Sequence, residues 1–293
     1  MFHKILACLD GSPHALDAAR TGADLAQRLD LPLALLNVFT PRFMAGVSLS
    51  GIGDAPAERL HDAAVRAAAA PVFEAFSATP QYLQGRGHPV ATIIEVAQRE
   101  QCDLIVLGAR GQSGLETFLL GSVSEGVLRH ASCSVLIVPD TPEAGRKRNF
   151  KHLLLASDGS ASAHKATEIA VELARTFRAS LTVLTVLTVY EGLGSLVEIA
   201  DAITEIYPRE QEQQTLRIIK KSMEDAAATA GISCALREEK GHSAETILRV
   251  AAEEKPDMIL VGHRGLGGFQ ALLLGSVSSR VAQRAQCPVL VTR

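Results

Sequence analysis

The sequence predicts an α/β fold of two tandem domains, each a mostly parallel sheet with helices on both faces. Three observations support this prediction. The second half of the chain repeats the first, each half alternates short apolar segments with amphipathic ones, and the short segments lack polar alternation. An unbroken apolar run is typical of a strand buried on both faces, and its alternation with helices is typical of a parallel sheet. The 293 residues leave room for two domains of ordinary size.

The repeat locates the two domains. The segment VLGARGQSGLETFLLGSVSEG at 106–126 aligns with LVGHRGLGGFQALLLGSVSSR at 260–280, and KILACLDGS near the start aligns with HLLLASDGS. A repeat of this length is a domain duplication rather than a solenoid. The polar segment that contains Pro and Gly before the second copy predicts a linker. We therefore expect domains at 1–140 and 151–293, joined by residues 141–150, and we interpret the GRKR run at 145–148 as a solvated linker.

Apolar runs and helical spacing place the elements in order. The first-half strands are predicted at Ile5–Leu9, Leu33–Val38, Tyr82–Gln84, Leu104–Leu107 and Val135–Val138. Between them, helices are predicted at Ser12–Leu29, Ala55–Ala78, Val90–Arg99 and Ser122–Arg129, and Ser12 and Pro13 suit the N-cap and first turn of the first helix. The second half repeats the strands at Leu153–Ser157, Leu181–Val186, Cys234–Glu238, Met258–Val261 and Val289–Val291.

Composition narrows the classes of function. A formal net charge of −3 argues against nucleic acid or an anionic membrane as the main partner. No apolar run is long enough to span a bilayer, and the N-terminal segment has no secretion-signal pattern. The five scattered cysteines favour a reducing, cytoplasmic location. Cys133 and Cys287 occupy matching positions, where small buried side chains are favoured over a redox pair.

The repeated glycine segment predicts a phosphate site. Gly108 ends the fourth strand, Gly111 lies in the loop, and Gly121 and Ser122 open the last helix. Glycine lets the backbone approach a ligand closely, and free N–H groups at a helix start attract anions. Ligands of such folds bind beyond the carboxyl ends of the strands. The alternative is that these are loop and cap glycines without a ligand.

The pattern Gly-x2-Gly-x9-Gly-Ser in both halves, with LDGS and SDGS after the first strands, resembles the universal stress protein family. The pattern is that family's ATP-binding signature, and the resemblance covers nearly the whole chain. It implies a sheet order of 3-2-1-4-5 in each domain and ATP as the ligand, with Mg²⁺. It also implies pairing of the two domains through their fifth strands, about a pseudo-two-fold axis. The apolar fifth strands, Val135–Val138 and Val289–Val291, would otherwise leave open sheet edges.

The resemblance also implies which residues contact the nucleotide. In the first domain, Asp10 and Val38 match adenine-side positions, and the ribose and phosphate positions match Leu107, Gly108, Gly111, Gly121, Ser122 and Val123. The second-domain positions are Asp158, Val186, Val261, Gly262, Gly265, Gly275, Ser276 and Val277. Histidine is frequent in the family before the second glycine, where this chain has Arg110 and Arg264; arginine keeps a positive charge beside the phosphates.

Several polar residues have two interpretations. Asp10 and Asp158 are expected to face the ligand, although each is also a candidate cap of the first helix. His88 and His242 match between the halves, and a turn or cap position is favoured over a metal site because no second ligand lies at metal spacing.

The sequence argues against fast hydrolysis. It has no GK[ST] loop. Glu116 and Glu125 are acidic residues in the first glycine segment, but Gln270 and Ser279 stand at the matching positions of the second. At most a slow ATPase is expected.

We therefore expect an ATP-binding stress-response protein whose nucleotide occupancy regulates conformation, assembly or partner binding. The two domains are expected to pair within the chain, and a homodimer is left open. The alternatives are a slow nucleotide hydrolase or transferase, and an interaction module that binds no nucleotide. Both signatures are intact, which predicts two nucleotides per chain. Glu116 in the first loop and the Gly267–Gly268 pair in the second favour slightly tighter binding at the second site.

Overall fold

A computed structural model gives the architecture. The structure describes residues 2–41, 54–75, 79–111, 120–140, 148–187, 231–265 and 274–293, with residues 217, 221, 225 and 228. The chain divides into two compact units, one formed by Met1–Asn149 with Ala282–Arg293, and the other by Phe150–Val281. In the described ranges no helix combines the length and the hydropathy needed to cross a membrane.

The first unit is a sheet with strand order β3-β2-β1-β4-β5-β10. Its strands are β1 Ile5–Leu9, β2 Leu33–Phe39, β3 Gln81–Arg86, β4 Leu104–Gly108, β5 Ser134–Val138 and β10 Val289–Thr292. Its helices are α1 Pro13–Leu29, α2 Asp54–Ala75, α3 Pro89–Arg99 and α4 Ser122–His130. The first five strands are parallel to their neighbours, so β1 to β5 follow the predicted order 3-2-1-4-5.

The strand β10 lies antiparallel to β5. Val291 faces Val135, Leu290 faces Leu136, and Val289 faces Ile137. This pairing confirms that the two fifth strands are neighbours, and it covers the apolar edge of β5 that would otherwise be open.

The core of the first unit explains why α1 lies close to the sheet. Every residue of β1, β4 and β5 is buried. Small side chains, among them Ala15, Ala18, Ala19 and Ala26, form much of the buried face of α1. Small residues allow a helix to approach the strands closely, and α1 thereby holds its first turn beside the carboxyl ends of β1 and β4.

The second unit repeats the parallel arrangement with strand order β9-β6-β7-β8. Its strands are β6 His152–Ala156, β7 Ser180–Leu187, β8 Cys234–Lys240 and β9 Met258–Gly262. Its helices are α5 Ala161–Phe177 and α6 Ser243–Glu254, and α7 Ser276–Arg284 begins in this unit. Phe150, which was expected at the end of the linker, is fully buried and stacks on Phe177 with ring centroids 5.3 Å apart.

The interpretation of the GRKR run is wrong for its last residue. Arg148 donates hydrogen bonds to Asp17 Oδ2 at 3.0 Å and to Thr21 Oγ1 at 3.1 Å, and its side chain is 14% exposed. The side chains on one face of α1 therefore bind this arginine instead of leaving it in water. The other residues of the run, 145–147, lie outside the described part of the chain.

Candidate functional site

A tight turn joins β1 to α1 in the first unit. The Ser12 N–H donates to Asp10 Oδ1 at 2.8 Å, and the Ser12 hydroxyl accepts the Ala15 N–H at 3.2 Å as the N-cap. Gly11 between them has φ +82°, a left-handed conformation that glycine adopts without a steric penalty. The helix cap is therefore Ser12, and Asp10 shapes the turn with one carboxylate oxygen.

The second unit contains the same turn. The Ser160 N–H donates to Asp158 Oδ1 at 3.0 Å, Gly159 has φ +75°, and the Ser160 hydroxyl accepts the Ala163 N–H at 3.2 Å. The repeated DGS sequence is thus explained by turn geometry. In both units the second carboxylate oxygen of the aspartate is the one that lies toward the glycine loop.

The loop after β4 passes very close to this turn. A Cβ added to Gly111 would lie 2.6 Å from Asp10 Oδ2, and one added to Gly108 would lie 2.9 Å from the His14 backbone oxygen. Neither distance is compatible with a side chain unless the surroundings move. Gly108 is therefore required by the fold itself, with or without a ligand, whereas the close atom at Gly111 is the end of a side chain.

The start of α4 closes the same site from the other side. Gly121 is the N-cap, and its N–H donates to Ala109 O at 2.8 Å. The N–H groups of Ser122, Val123 and Ser124 belong to the first helical turn, where no intrahelical acceptor is available. A Cβ added to Gly121 would have Ala109 O as its nearest neighbour at 3.4 Å, an ordinary contact. This glycine is therefore not required by packing, unlike Gly108.

The second unit reproduces the glycine arrangement. A Cβ on Gly265 would lie 2.6 Å from Asp158 Oδ2, and one on Gly262 would lie 2.9 Å from the backbone of Ser162. The Gly275 N–H donates to His263 O at 2.8 Å, as Gly121 does to Ala109 in the first unit. Ser276 begins α7, which places Gly275, Ser276 and Val277 at the helix start.

The other predicted positions contribute backbone or a partly exposed surface. Val38 and Val186 lie near the carboxyl ends of β2 and β7 and are partly exposed. Leu107 and Val261 are buried strand residues, so only their backbone is open to a ligand. Ser122 and Ser276 are exposed at their helix starts, and Val123 and Val277 are partly exposed.

The two units differ in the charges beside the glycine loop. In the first unit Asp140 lies 3.4 Å from Arg110 Nη2 and 3.3 Å from His14 Nδ1. In the second unit the hydroxyls of Ser160 and Ser162 both lie within hydrogen-bond reach of the Arg264 backbone oxygen. The Arg264 Nε atom is buried and has no hydrogen-bond partner in the part of the chain that the structure describes.

Two residues that hold the site were missed. The Ser124 hydroxyl donates to Gly108 O at 2.7 Å and joins α4 to the end of β4. Its counterpart Ser278 donates to Gly275 O at 3.0 Å. The signal was present, because GSVS occurs in both halves, but only its first serine was interpreted. The Asp140 contacts gave no sequence signal, because their three residues are far apart in the chain.

The remaining candidates are Glu125, in the first turn of α4, and two cap histidines. Glu125 forms an ion pair with Arg129 at 3.0 Å, one helical turn away. His88 and His242 are the N-cap residues of α3 and α6, and neither side chain makes a cap hydrogen bond. Groups of three metal-ligating side chains are not found in the described ranges. Glu116, Gln270 and the Gly267–Gly268 pair lie outside those ranges.

The site geometry fits a phosphate-bearing ligand. Each unit brings together glycine backbone, the N–H groups of a helix start and one arginine at the carboxyl edge of a parallel sheet. Helix-start N–H groups and the helix dipole favour anions, and the helices α4 and α7 each begin with an exposed serine. The buried, unpartnered Nε of Arg264 is a donor that an anion would satisfy.

Comparison with known proteins identifies the family of this chain. The model of the universal stress protein family matches residues 1–139 and 149–293. A universal stress protein of Mycolicibacterium smegmatis is 30% identical over 304 residues, which cover 99% of this chain and 97% of that protein. The crystal structure of a universal stress protein from Archaeoglobus fulgidus has a TM-score of 0.68 and 23% identity, covering 99% of this chain and 98% of that chain.

A universal stress protein solved in complex with cAMP is 25% identical, with a TM-score of 0.36, and covers 49% of this chain and 96% of that one. The family model, in contrast, matches both halves of this chain, each with its own glycine segment. The chain belongs to the universal stress protein family and carries two of its domains in tandem.

Proposed function

We propose that this chain is a cytoplasmic ATP-binding protein with one nucleotide site in each domain, and that nucleotide occupancy regulates its conformation, assembly or partner binding. The observation that carries the proposal is the repeated anion site at the ends of β4 and β9. The same turn, the same close glycine contacts and the same helix start occur in both units. The five cysteines are free, which fits a reducing compartment.

The site residues have separate roles in this proposal. The N–H groups at the starts of α4 and α7 bind phosphate oxygens, with Arg110 and Arg264 beside them. Asp10 and Asp158 and the strand ends at Val38 and Val186 bound the space for the nucleoside. Mg²⁺, when present, is held mainly by the phosphates, since no cluster of protein ligands is found among the described residues.

Regulation is favoured over rapid turnover. Glu125 is the described carboxylate in the first glycine segment, and its ion pair with Arg129 occupies it on the helix surface. Although Glu125 lies in the first turn of α4, this pairing with Arg129 disfavours it as a base that activates a water molecule. A turnover below about one per minute, against ordinary enzymes near ten per second, is the expected result with ATP and Mg²⁺.

Calorimetric titration of the purified protein tests the proposal directly. We expect two equivalents of ATP per chain, and one equivalent for each of the variants Gly121→Val and Gly275→Val. Gly121 suits this test because a Cβ there would meet its nearest atom, Ala109 O, at 3.4 Å, while at Gly275 the nearest atom, His263 O, would lie at 3.2 Å. Gly108 and Gly262 do not, because a substitution would disturb the backbone beside them.

A matched control separates binding from folding. Ser180→Val introduces the same side chain at the exposed first residue of β7, away from the glycine loops, and should leave two equivalents bound. Absence of ATP, ADP and AMP binding in the folded parent protein would favour the interaction module. Turnover well above the expected limit would favour the hydrolase.

A further inference from the structure

We propose that Asp140 sets the charge preference of the first site, so that it weakens the binding of triphosphates there more than the binding of nucleotides with a single phosphate. The second site lacks this discrimination. The inference rests on the proposed nucleotide binding and goes further, since it assigns different charge preferences to two sites with the same glycine signature.

The first step is the position of Asp140. It follows β5 by two residues, and β5 ends beside β4, where Ala109 N–H donates to Val138 O at 2.7 Å. Asp140 Oδ2 lies 3.4 Å from Arg110 Nη2, and Arg110 stands between the two loop glycines. The carboxylate therefore lies at the same sheet edge as the glycine loop and the start of α4.

The second step is that Asp140 is paired with the arginine of this site. Arg110 is the arginine of the first glycine loop, and its side chain is 20% exposed. Asp140 also contacts His14 Nδ1 at 3.3 Å, in the first turn of α1. An incoming phosphate must share Arg110 with this carboxylate or displace it. Either outcome weakens the attraction that Arg110 would otherwise exert on the ligand.

The third step is the contrast with the second site. His14 is replaced there by Ser162, whose hydroxyl donates to the Arg264 backbone oxygen. Arg264 has no carboxylate partner equivalent to Asp140 among the described residues, and its buried Nε is without a hydrogen bond. The arginine of the second site is therefore open to an anion.

The last step is electrostatic. Each site has one aspartate at the turn and one arginine in the loop. The first site also has two carboxylates that the second lacks, Asp140 beside Arg110 and Glu125 in the first turn of α4, where Arg129 pairs with Glu125. Like charges repel, and they repel more strongly in a partly buried site than in water. The repulsion grows with the charge of the phosphate tail, so it penalises ATP more than AMP.

The experiment titrates ATP and AMP into proteins with one intact site each. In the Gly275→Val background, where the first site remains, Asp140→Asn should raise the ATP affinity about tenfold and the AMP affinity less than threefold. In the Gly121→Val background, where the second site remains, Asp140→Asn should change neither affinity. Asparagine keeps the shape of the side chain and removes its charge.

The outcomes separate the inference from the proposed function. Equal changes for ATP and AMP, or no change in the Gly275→Val background, would overturn the role of Asp140 while nucleotide binding stands. If neither ATP nor AMP binds to the parent or to any variant, the role of Asp140 and the proposed nucleotide binding are both overturned. If Gly275→Val does not fold, a two-site ATP titration of Asp140→Asn alone replaces it, and one of its two affinities should rise about tenfold.

Discussion

Arg148 Nη2 lies 3.0 Å from Asp17 Oδ2, although the two residues are separated by most of the first domain and the linker. Asp17 is 5% exposed and Arg148 is 14% exposed at their side chains, so the pair is shielded from water. The Arg148 N–H also donates to Asp24 Oδ2, and Arg28 donates to Arg148 O at 3.0 Å. The end of the linker is thus bound to α1 by both side chains and backbone.

This pair should contribute to stability. Arg148→Ala leaves the Asp17 carboxylate buried without its guanidinium partner, and we expect the free energy of unfolding to fall by about 3 kcal/mol. Urea unfolding followed by circular dichroism measures it. Arg175→Ala, which removes an exposed arginine paired with Glu172, is the matched control and should change little. Equal losses for the two variants would show that Arg148 is not held as the structure indicates.

The glycines of the first site should separate into two classes. Gly108→Ala forces a side chain to within 2.9 Å of the His14 backbone oxygen, and we expect a loss of about 1–3 kcal/mol. Gly121→Ser places a favoured residue at the N-cap of α4 without a close contact, and stability should change by less than about 0.5 kcal/mol. Thermal unfolding of both variants measures the two changes in stability. A larger loss for Gly121→Ser than for Gly108→Ala would contradict the close contacts at Gly108.

Ser124 should matter for stability more than Ser122, although both stand in the same GSVS segment. The Ser124 hydroxyl is buried and donates to Gly108 O, so Ser124→Ala should cost about 1 kcal/mol. Ser122 is exposed, and Ser122→Ala should be close to neutral in the absence of ligand. Denaturant midpoints of the two variants measure this difference. A larger loss at Ser122 would mean that its hydroxyl, rather than that of Ser124, joins α4 to the strand.

The thiols of the first unit should respond to alkaline pH. Burial raises the pKa of Cys102 to about 11, and burial likewise raises that of Cys133 to about 11. The unfolded thiols ionise near pH 9, so the unfolded state loses protons first and the folded state becomes relatively less stable as the pH rises from 9 to 11. The Cys102→Ala variant should therefore lose less stability than the parent between pH 8 and pH 10.

Alkylation gives a second test of the same thiols. At pH 8, iodoacetamide should label Cys8 and Cys102 only after denaturation, because both are buried and protonated. Peptide mass spectrometry before and after urea addition measures the protection. Rapid labelling of either residue in the folded protein would contradict its buried position.

Much of the fold could be predicted because local pattern and tertiary structure agree. The β1 run has no polar residue before Asp10, and Ser12 with Pro13 marks the start of α1, so both were placed to within a residue. The predicted ends of two strands differ from the structure by one residue. Gly108 and Gly262 extend β4 and β9 beyond their apolar runs, because ladder pairing with the next strand continues where the hydrophobic pattern stops.

The site was predictable where its residues are adjacent in the chain, and much less so elsewhere. The DGS turn and the helix start at Gly121 follow from neighbouring residues. The contacts of Arg148 with Asp17 and of Asp140 with Arg110 join distant segments, and charge alone assigns no partner. The charges of the GRKR run at 145–148 therefore predict a solvated segment, although its last residue, Arg148, is bound by α1.

The position of β10 bears on how the protein is made. The first unit needs residues 282–293, which lie after the whole of the second unit in the chain. During synthesis, β5 therefore emerges from the ribosome long before its antiparallel neighbour exists, and its apolar edge stays open to other nascent chains. Residues 1–149 alone would form a sheet with an unmatched strand. The ribosome must translate the whole second unit and then β10 before the first domain can close its own sheet.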